Sequence, residues 1–150
     1  MIDGTNLPYA STKIDIEKSK IQTNELLKKF GVSGIQWTWV NNIEILRFIH
    51  DFEFDGVKHQ IGYEMQVPEM GIKKGPAYEK RLERNDRQAY RIVWHVLKAR
   101  FVAVESGLKT FEEEFLSDII YKLPNGRTTK IGDIILNQIS KTEPINLLEG

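Results

Sequence analysis

The 150-residue chain has no cysteine. That excludes a disulfide framework, a zinc-thiolate site and cysteine nucleophiles, and it fits a reducing cytosol. No apolar run approaches the roughly 18 to 20 residues of a membrane span, and the opening MIDGTNLPYAST lacks the basic and apolar regions of a signal peptide. The expectation is a cytoplasmic protein with no membrane partner. Net charge is also missing: Lys plus Arg and Asp plus Glu number 21 each, so nothing pulls the whole molecule nonspecifically to nucleic acid or lipid. The sequence contains no Walker A loop, no G-x-S-x-G, no H-E-x-x-H and no Rossmann glycine pattern. A conventional enzyme is disfavoured on that ground, and no cofactor is called for.

Apolar residues make up 41% of the chain, enough for one contiguous core, and the length suits one domain. A flexible tail is expected over residues 1–10, one domain over 11–140 and an irregular tail over 141–150. Charge is uneven along the chain. Residues 71–100 hold nine basic and three acidic side chains, against seven and ten before them and five and eight after them. An anionic partner is therefore sought first in the middle block.

Ser11 or Thr12 can cap a helix that stops at Gly31, with Ile16, Ser19, Thr23, Leu26, Leu27 and Phe30 on its buried stripe. Three antiparallel strands follow over residues 35–40, 43–54 and 57–67, joined by Asn41-Asn42 and by Asp55-Gly56, a dipeptide favoured in tight hairpin turns. Two-residue turns fix the registers. Phe54 then faces Val57, Phe52 faces His59, His50 faces Ile61, Phe48 faces Tyr63 and Leu46 faces Met65, while Trp37 faces Leu46 and Ile35 faces Phe48. The other side pairs Glu53 with Lys58 and Arg47 with Glu64, opposite charges that support the same register. PEMGIKKGPA, residues 68–77, reads as a mobile basic loop. A long helix is predicted over residues 78–106, ending near Gly107. Thr110 and Glu113 form a capping box for a helix with apolar Phe111, Phe115, Leu116, Ile119 and Ile120. LPNGRTT reads as a turn, and Ile131, Ile134, Ile135 and Ile139 mark a last short helix. The predicted fold is α+β, a two-layer sandwich of an N-terminal helix, a three-stranded antiparallel sheet, a long covering helix and a C-terminal helical appendix.

On a helix over 78–106, Lys80, Arg84, Arg87, Arg91, His95 and Lys98 fall on one stripe, with Trp94 and Phe101 flanking it. Leu82, Ala89, Ile92, Val93, Val96, Ala103 and Val104 fall opposite. The ordinary reading of such a stripe is a solvated face. Against it, solvated faces usually mix signs to gain helical ion pairs, and this stripe has one sign. The functional reading is a ridge for a single strand, with phosphates on the cations, a base on the Trp94 indole, and Lys73 and Lys74 extending the surface.

Other candidates have simpler explanations. Asp51, Glu53 and Asp55 would suit Mg²⁺ in a metal-dependent nuclease, but Glu53 has a partner in Lys58 and Asp55 belongs to a turn. His50, His59 and Tyr63 share a sheet face, where a histidine is more often a hydrogen-bonded core or edge residue than a catalyst. Glu112, Glu113 and Glu114 open a helix, where acidic residues meet the dipole favourably; the functional alternative is an acidic patch for a protein partner or a neighbouring subunit. No metal site is expected. Ile43, Ile45 and Ile49, with Val40, would form an apolar patch suited to a protein partner or self-assembly if the C-terminal helices leave them uncovered.

KARFVAVESGLKTFEEEFL, residues 98–116, and LPNGRT, residues 123–128, resemble a family of small uncharacterised phage and prophage proteins. The pattern is K-A-x-x-x-A-V-E-x-G, then T-F-E-x-E-F-L and L-P-x-G-R-T. The likeness covers the second half of the chain and implies a mobile-element origin and a host-cell cytoplasm; it supplies no activity and no site residues. The element order is also similar to double-stranded-RNA-binding domains and to the core of phage single-strand annealing proteins, an analogy of topology that transfers no residue. The expected function is a phage-type nucleic-acid-binding protein that prefers single-stranded DNA or RNA and does no bond chemistry. The alternative is a phage-encoded interaction module that inhibits a host or defence enzyme, and homo-oligomers suit either.

Overall fold

The computed structural model describes residues 1–143 and 145, and it shows the α+β class. The chain begins with a short strand β1 (Ile2–Asp3), then helix α1 (Ile16–Lys29). Strands β2 (Gly34–Val40), β3 (Ile43–Phe54) and β4 (Val57–Gln66) form an antiparallel sheet in that order. Every cross-strand pair inferred from the two-residue turns is present, from Ile35 opposite Phe48 to Phe54 opposite Val57. Asn41, Asn42 and Asp55 take positive φ, as tight primed turns require. Arg47 Nε donates to Glu64 Oε2 at 3.1 Å on the back of the sheet.

The front of the sheet is the core. Leu46, Phe48 and Tyr63 are buried there against Leu97 and Phe101 from the long helix and Phe111 and Phe115 beyond it. The rings of Phe48 and Tyr63 stack at 5.2 Å, and Phe115 meets Phe48 edge-on at 5.6 Å. The α1 stripe is buried at Ser19, Thr23 and Leu27. Two of these are small, which lets α1 approach the long helix closely, and Thr23 Oγ1 returns its hydrogen bond to Ser19 O at 2.8 Å.

The structure departs from the sequence reading between residues 68 and 85. The basic loop and the first turns of the expected long helix are instead a two-stranded ribbon, β5 (Met70–Lys74) and β6 (Arg81–Arg84), paired antiparallel and continued on the other side by β1. Helix α2 starts only at Asp86 and runs to Glu105. A Gly-Pro pair makes the reversal: Gly75 has φ +107, and Glu79 N donates to Pro76 O at 2.9 Å. Lys80 and Arg84 are thus not on the helix.

The capping box on Thr110 and Glu113 forms, but α3 spans only Phe111–Glu114 and passes into a 3-10 turn, Leu116–Asp118. Ile120 begins a strand rather than continuing a helix: LPNGRTT joins the hairpin β7 (Ile120–Lys122) and β8 (Thr128–Lys130), which leads into α4 (Ile131–Ile139). Arg100 fastens this C-terminal part to α2. Its guanidinium donates to Glu114 O at 2.7 Å and Asp118 Oδ2 at 2.8 Å while lying 4.1 Å over the Phe115 ring, and Lys130 holds the other Asp118 oxygen at 2.8 Å. Most of the irregular tail expected over 141–150 lies outside the described residues. Residues 1–10, expected as a flexible tail, form a strap: the buried Gln88 donates from Nε2 to Gly4 O at 2.8 Å and Pro8 O at 3.1 Å.

Candidate nucleic-acid interface

The cations expected on one helical ridge divide into two sets. Those on α2 are mostly engaged. Arg91 is 6% exposed, donates to Ser19 and Gln22 on α1, and lies with its guanidinium 4.0 Å over the Trp94 ring. Arg87 is paired with Asp15 at 3.1 Å. Lys98 Nζ sits 4.9 Å from the Trp94 ring centre, so the indole proposed for a base already has two cations against it. His95 Nδ1 shares a 2.9 Å hydrogen bond with Tyr9 OH of the N-terminal strap. Helix α2 is buried on two sides, by the sheet and by α1. For that reason Arg91 is inside, whereas Val96, placed by the pattern on the apolar side, is exposed.

The second set is on the ribbon. Lys74 and Arg81 are opposite each other in register, as are Lys73 and Leu82, so the strand alternation sends positive charge to both faces. Their ion pairs are long and solvated: Lys74 to Glu83 at 3.5 Å, Arg81 to Glu83 at 3.8 Å and Lys73 to Asp3 at 3.3 Å. Pairs of this kind restrain a cation weakly. Lys80 makes no ion pair among the described residues. At the tip Tyr78 is 89% exposed. Arg84, at the base, is held more firmly, with Nε 2.7 Å from Asp86 Oδ1.

The base of the ribbon is fixed. Gly4 N donates to Gly71 O at 2.7 Å, Asn85 N to Met70 O at 2.8 Å and Lys73 N to Thr5 Oγ1 at 2.9 Å. Hydrogen bonds from the Thr5 hydroxyl and amide, then Lys73, hold the Asp3 carboxyl below the usual carboxylate range. A Cβ on Gly71 would come within 3.1 Å of Glu83 O and 2.9 Å of the flexible end of Met1, so glycine here eases the close approach of β6 and the N-terminus. Sequence reasoning missed Tyr78 and Arg81. The available signal was KKGPAYEKR, a Gly-Pro turn with a basic pair on either side, which suits a hairpin as well as a loop before a helix.

The remaining candidates are dispersed. His50 donates from Nδ1 to Glu112 Oε1 at 2.9 Å and stacks on Phe111 at 3.9 Å, tying α3 to the sheet, while His59 is exposed further along the hairpin. Asp51 and Glu53 are on the back face and Asp55 is in the turn; no group of three His, Cys, Asp or Glu side chains is set to hold a metal ion among the described residues. One polar cluster was not foreseen. Glu44, 4% exposed, accepts from Tyr90 OH and pairs with Lys20, and burial followed by that carboxylate pushes the Tyr90 phenol well up.

The C-terminal elements leave the back of the sheet largely open. Gly34, Ile49 and Gly62 are aligned across the three strands, and the missing side chains make an apolar trough of about 450 Å³ that Ile120 reaches from one side. Ile49 and Val40 are exposed; Ile43 and Ile45 are half-buried.

The fold and the ribbon define an α+β protein with a rooted, positively charged two-stranded arm. No protein-family model, no curated protein and no solved structure matches the chain. Among the described residues no helix is long and apolar enough to cross a membrane.

Proposed function

We propose that this protein binds nucleic acid through the β5–β6 ribbon, favours single strands, and does no bond chemistry. The observation that carries the reading is Tyr78, fully presented at the tip of an arm with Lys73, Lys74, Lys80 and Arg81 around it. An aromatic ring left in water has a use when an unpaired base stacks on it, and flanking cations that neutralise phosphates release counterions. Duplexes hide the base faces, hence the preference. The phage origin implied by the resemblance fits such a role.

Fluorescence anisotropy of a labelled single-stranded oligonucleotide at about 50 and 200 mM salt tests it. Binding that falls steeply with salt is expected. Replacing Lys73, Lys74, Lys80 and Arg81 together by Ala should lower the salt slope by about 3, at roughly 0.7 per contact on a single strand. Unchanged affinity and slope in the folded variant would overturn the assignment.

The back-face trough favours a second reading, a protein-interaction module. A nuclease-resistant complex with a host protein that Ile49→Arg abolishes would support it. The same substitution should leave oligonucleotide binding unchanged if the ribbon is the interface.

A further inference from the structure

We propose that the molecule associates head to tail, the acidic tip of the β3–β4 hairpin of one copy docking on the basic ribbon of the next. This rests on the reading of the ribbon as an anion-binding arm, and it makes a second copy of the chain another anion for that arm.

Residues 51–60, the outer part of the β3–β4 hairpin, carry Asp51, Glu53 and Asp55 against Lys58 alone, and Asp51 is opposite Gln60 rather than a cation. Residues 73–84 carry five basic and two acidic side chains. Strand β4 runs from the acidic tip toward the root of the basic ribbon, and its ten residues span about 30 Å at roughly 3.4 Å each. That is about three screening lengths at 0.1 M salt. Among the described residues no ion pair joins residues 51–60 to residues 73–84, whereas one copy placed end to end with another brings the two charges together.

Apolar surface is available beside both charges, on the opposite face of the acidic hairpin end and on the ribbon. Phe54 and Val57 are opposite each other in register, both more than half exposed, and Phe54 stacks on Phe52 at 6.3 Å. On the ribbon, Tyr78 and Leu82 are exposed. Different patches meet in such a contact, so it is heterologous and propagates into a ring or an open filament rather than closing as a two-fold dimer. About ten residues on each side is fewer than the roughly 20 to 30 of a stable interface, so the association should be weak and strongly salt-dependent.

Sedimentation velocity without nucleic acid tests the proposal. At about 50 mM salt the wild type should form species larger than the 17.4 kDa monomer, and these should dissociate at about 500 mM. Asp51→Lys with Glu53→Lys, and separately Lys80→Glu with Arg81→Glu, should each weaken association at least tenfold, and an equimolar mixture of the two should regain a dimer. Asp51→Asn with Glu53→Gln guards against misfolding and should also weaken association. A wild type that stays monomeric at low salt overturns the proposal, as does association that none of these variants weakens. The two readings fail separately: oligonucleotide binding without self-association removes only this proposal, and self-association without oligonucleotide binding removes only the nucleic-acid reading.

Discussion

Positive charge occurs on two neighbouring elements of this protein and is held differently on each. On α2 two cations are part of the architecture, Arg91 bridging to α1 and Arg100 fastening the C-terminal segment, while Arg87 pairs with Asp15 at the surface. On the β5–β6 ribbon, one residue upstream of the helix, only Arg84 at the base is firmly paired; the cations beyond it have long, solvated pairs or none, and a bare tyrosine is among them. A count of lysines and arginines along the chain does not distinguish these states. What distinguishes them is whether a second layer of structure packs over the side chain.

The comparison implies opposite consequences for substitutions in the two regions. Arg100→Met should have the largest effect, a loss of roughly 3 kcal/mol, because it leaves the buried Asp118 and the part-buried Glu114 with only lysines to offset them. For a chain of this size that is about 10 °C in Tm, read by thermal circular dichroism. Arg91→Ala should cost about 2 kcal/mol through its lost hydrogen bonds and its contact with Trp94, while the folded variant binds oligonucleotide as the wild type does. If Arg91→Ala leaves stability alone and lowers binding, the helix is the interface and the comparison is wrong. Tyr78→Ala should leave Tm unchanged and weaken oligonucleotide binding by about 1 to 2 kcal/mol, with the salt slope preserved, since stacking displaces no counterions.

The sequence was most informative where two independent constraints agreed. Turn length and apolar alternation both dictated the β2–β3–β4 register, and the pairs Arg47 with Glu64 and Glu53 with Lys58 repeated the answer. It was least informative over residues 78–85. YEKRLERN has the charge spacing of a helix, and an isolated turn of helix and a short strand differ little in local preference. The decision was made elsewhere, by β1 pairing with β5 and by Asn85 donating to Met70 O. Arg91 was misread for a related reason: a single apolar stripe implies one neighbour, and α2 has two. The capping box at Thr110 was legible and its helix was cut short, because a cap specifies where a helix starts and says little about its length.

Lys98 gives the smallest and most discriminating effect. It is on α2, it belonged to the proposed ridge, and unlike Arg87 and Arg91 it makes no ion pair or hydrogen bond among the described residues; its one marked contact is the Trp94 ring at 4.9 Å. Exposed cation–π contacts of this sort contribute about 0.5 kcal/mol, so Lys98→Ala should move Tm by no more than about 2 °C. Stability alone therefore cannot assign it to either region, and the salt slope of oligonucleotide binding can. A phosphate contact at Lys98 would lower the slope by about 0.7 when removed, whereas a cation occupied with an indole would leave it unchanged. Because Tyr9, Trp94 and His95 surround Lys98 with apolar and hydrogen-bonded surface rather than with further free cations, the slope should stay at its wild-type value. A fall of the size expected for one contact would extend the interface from the ribbon along the exposed side of α2 and restore part of the ridge.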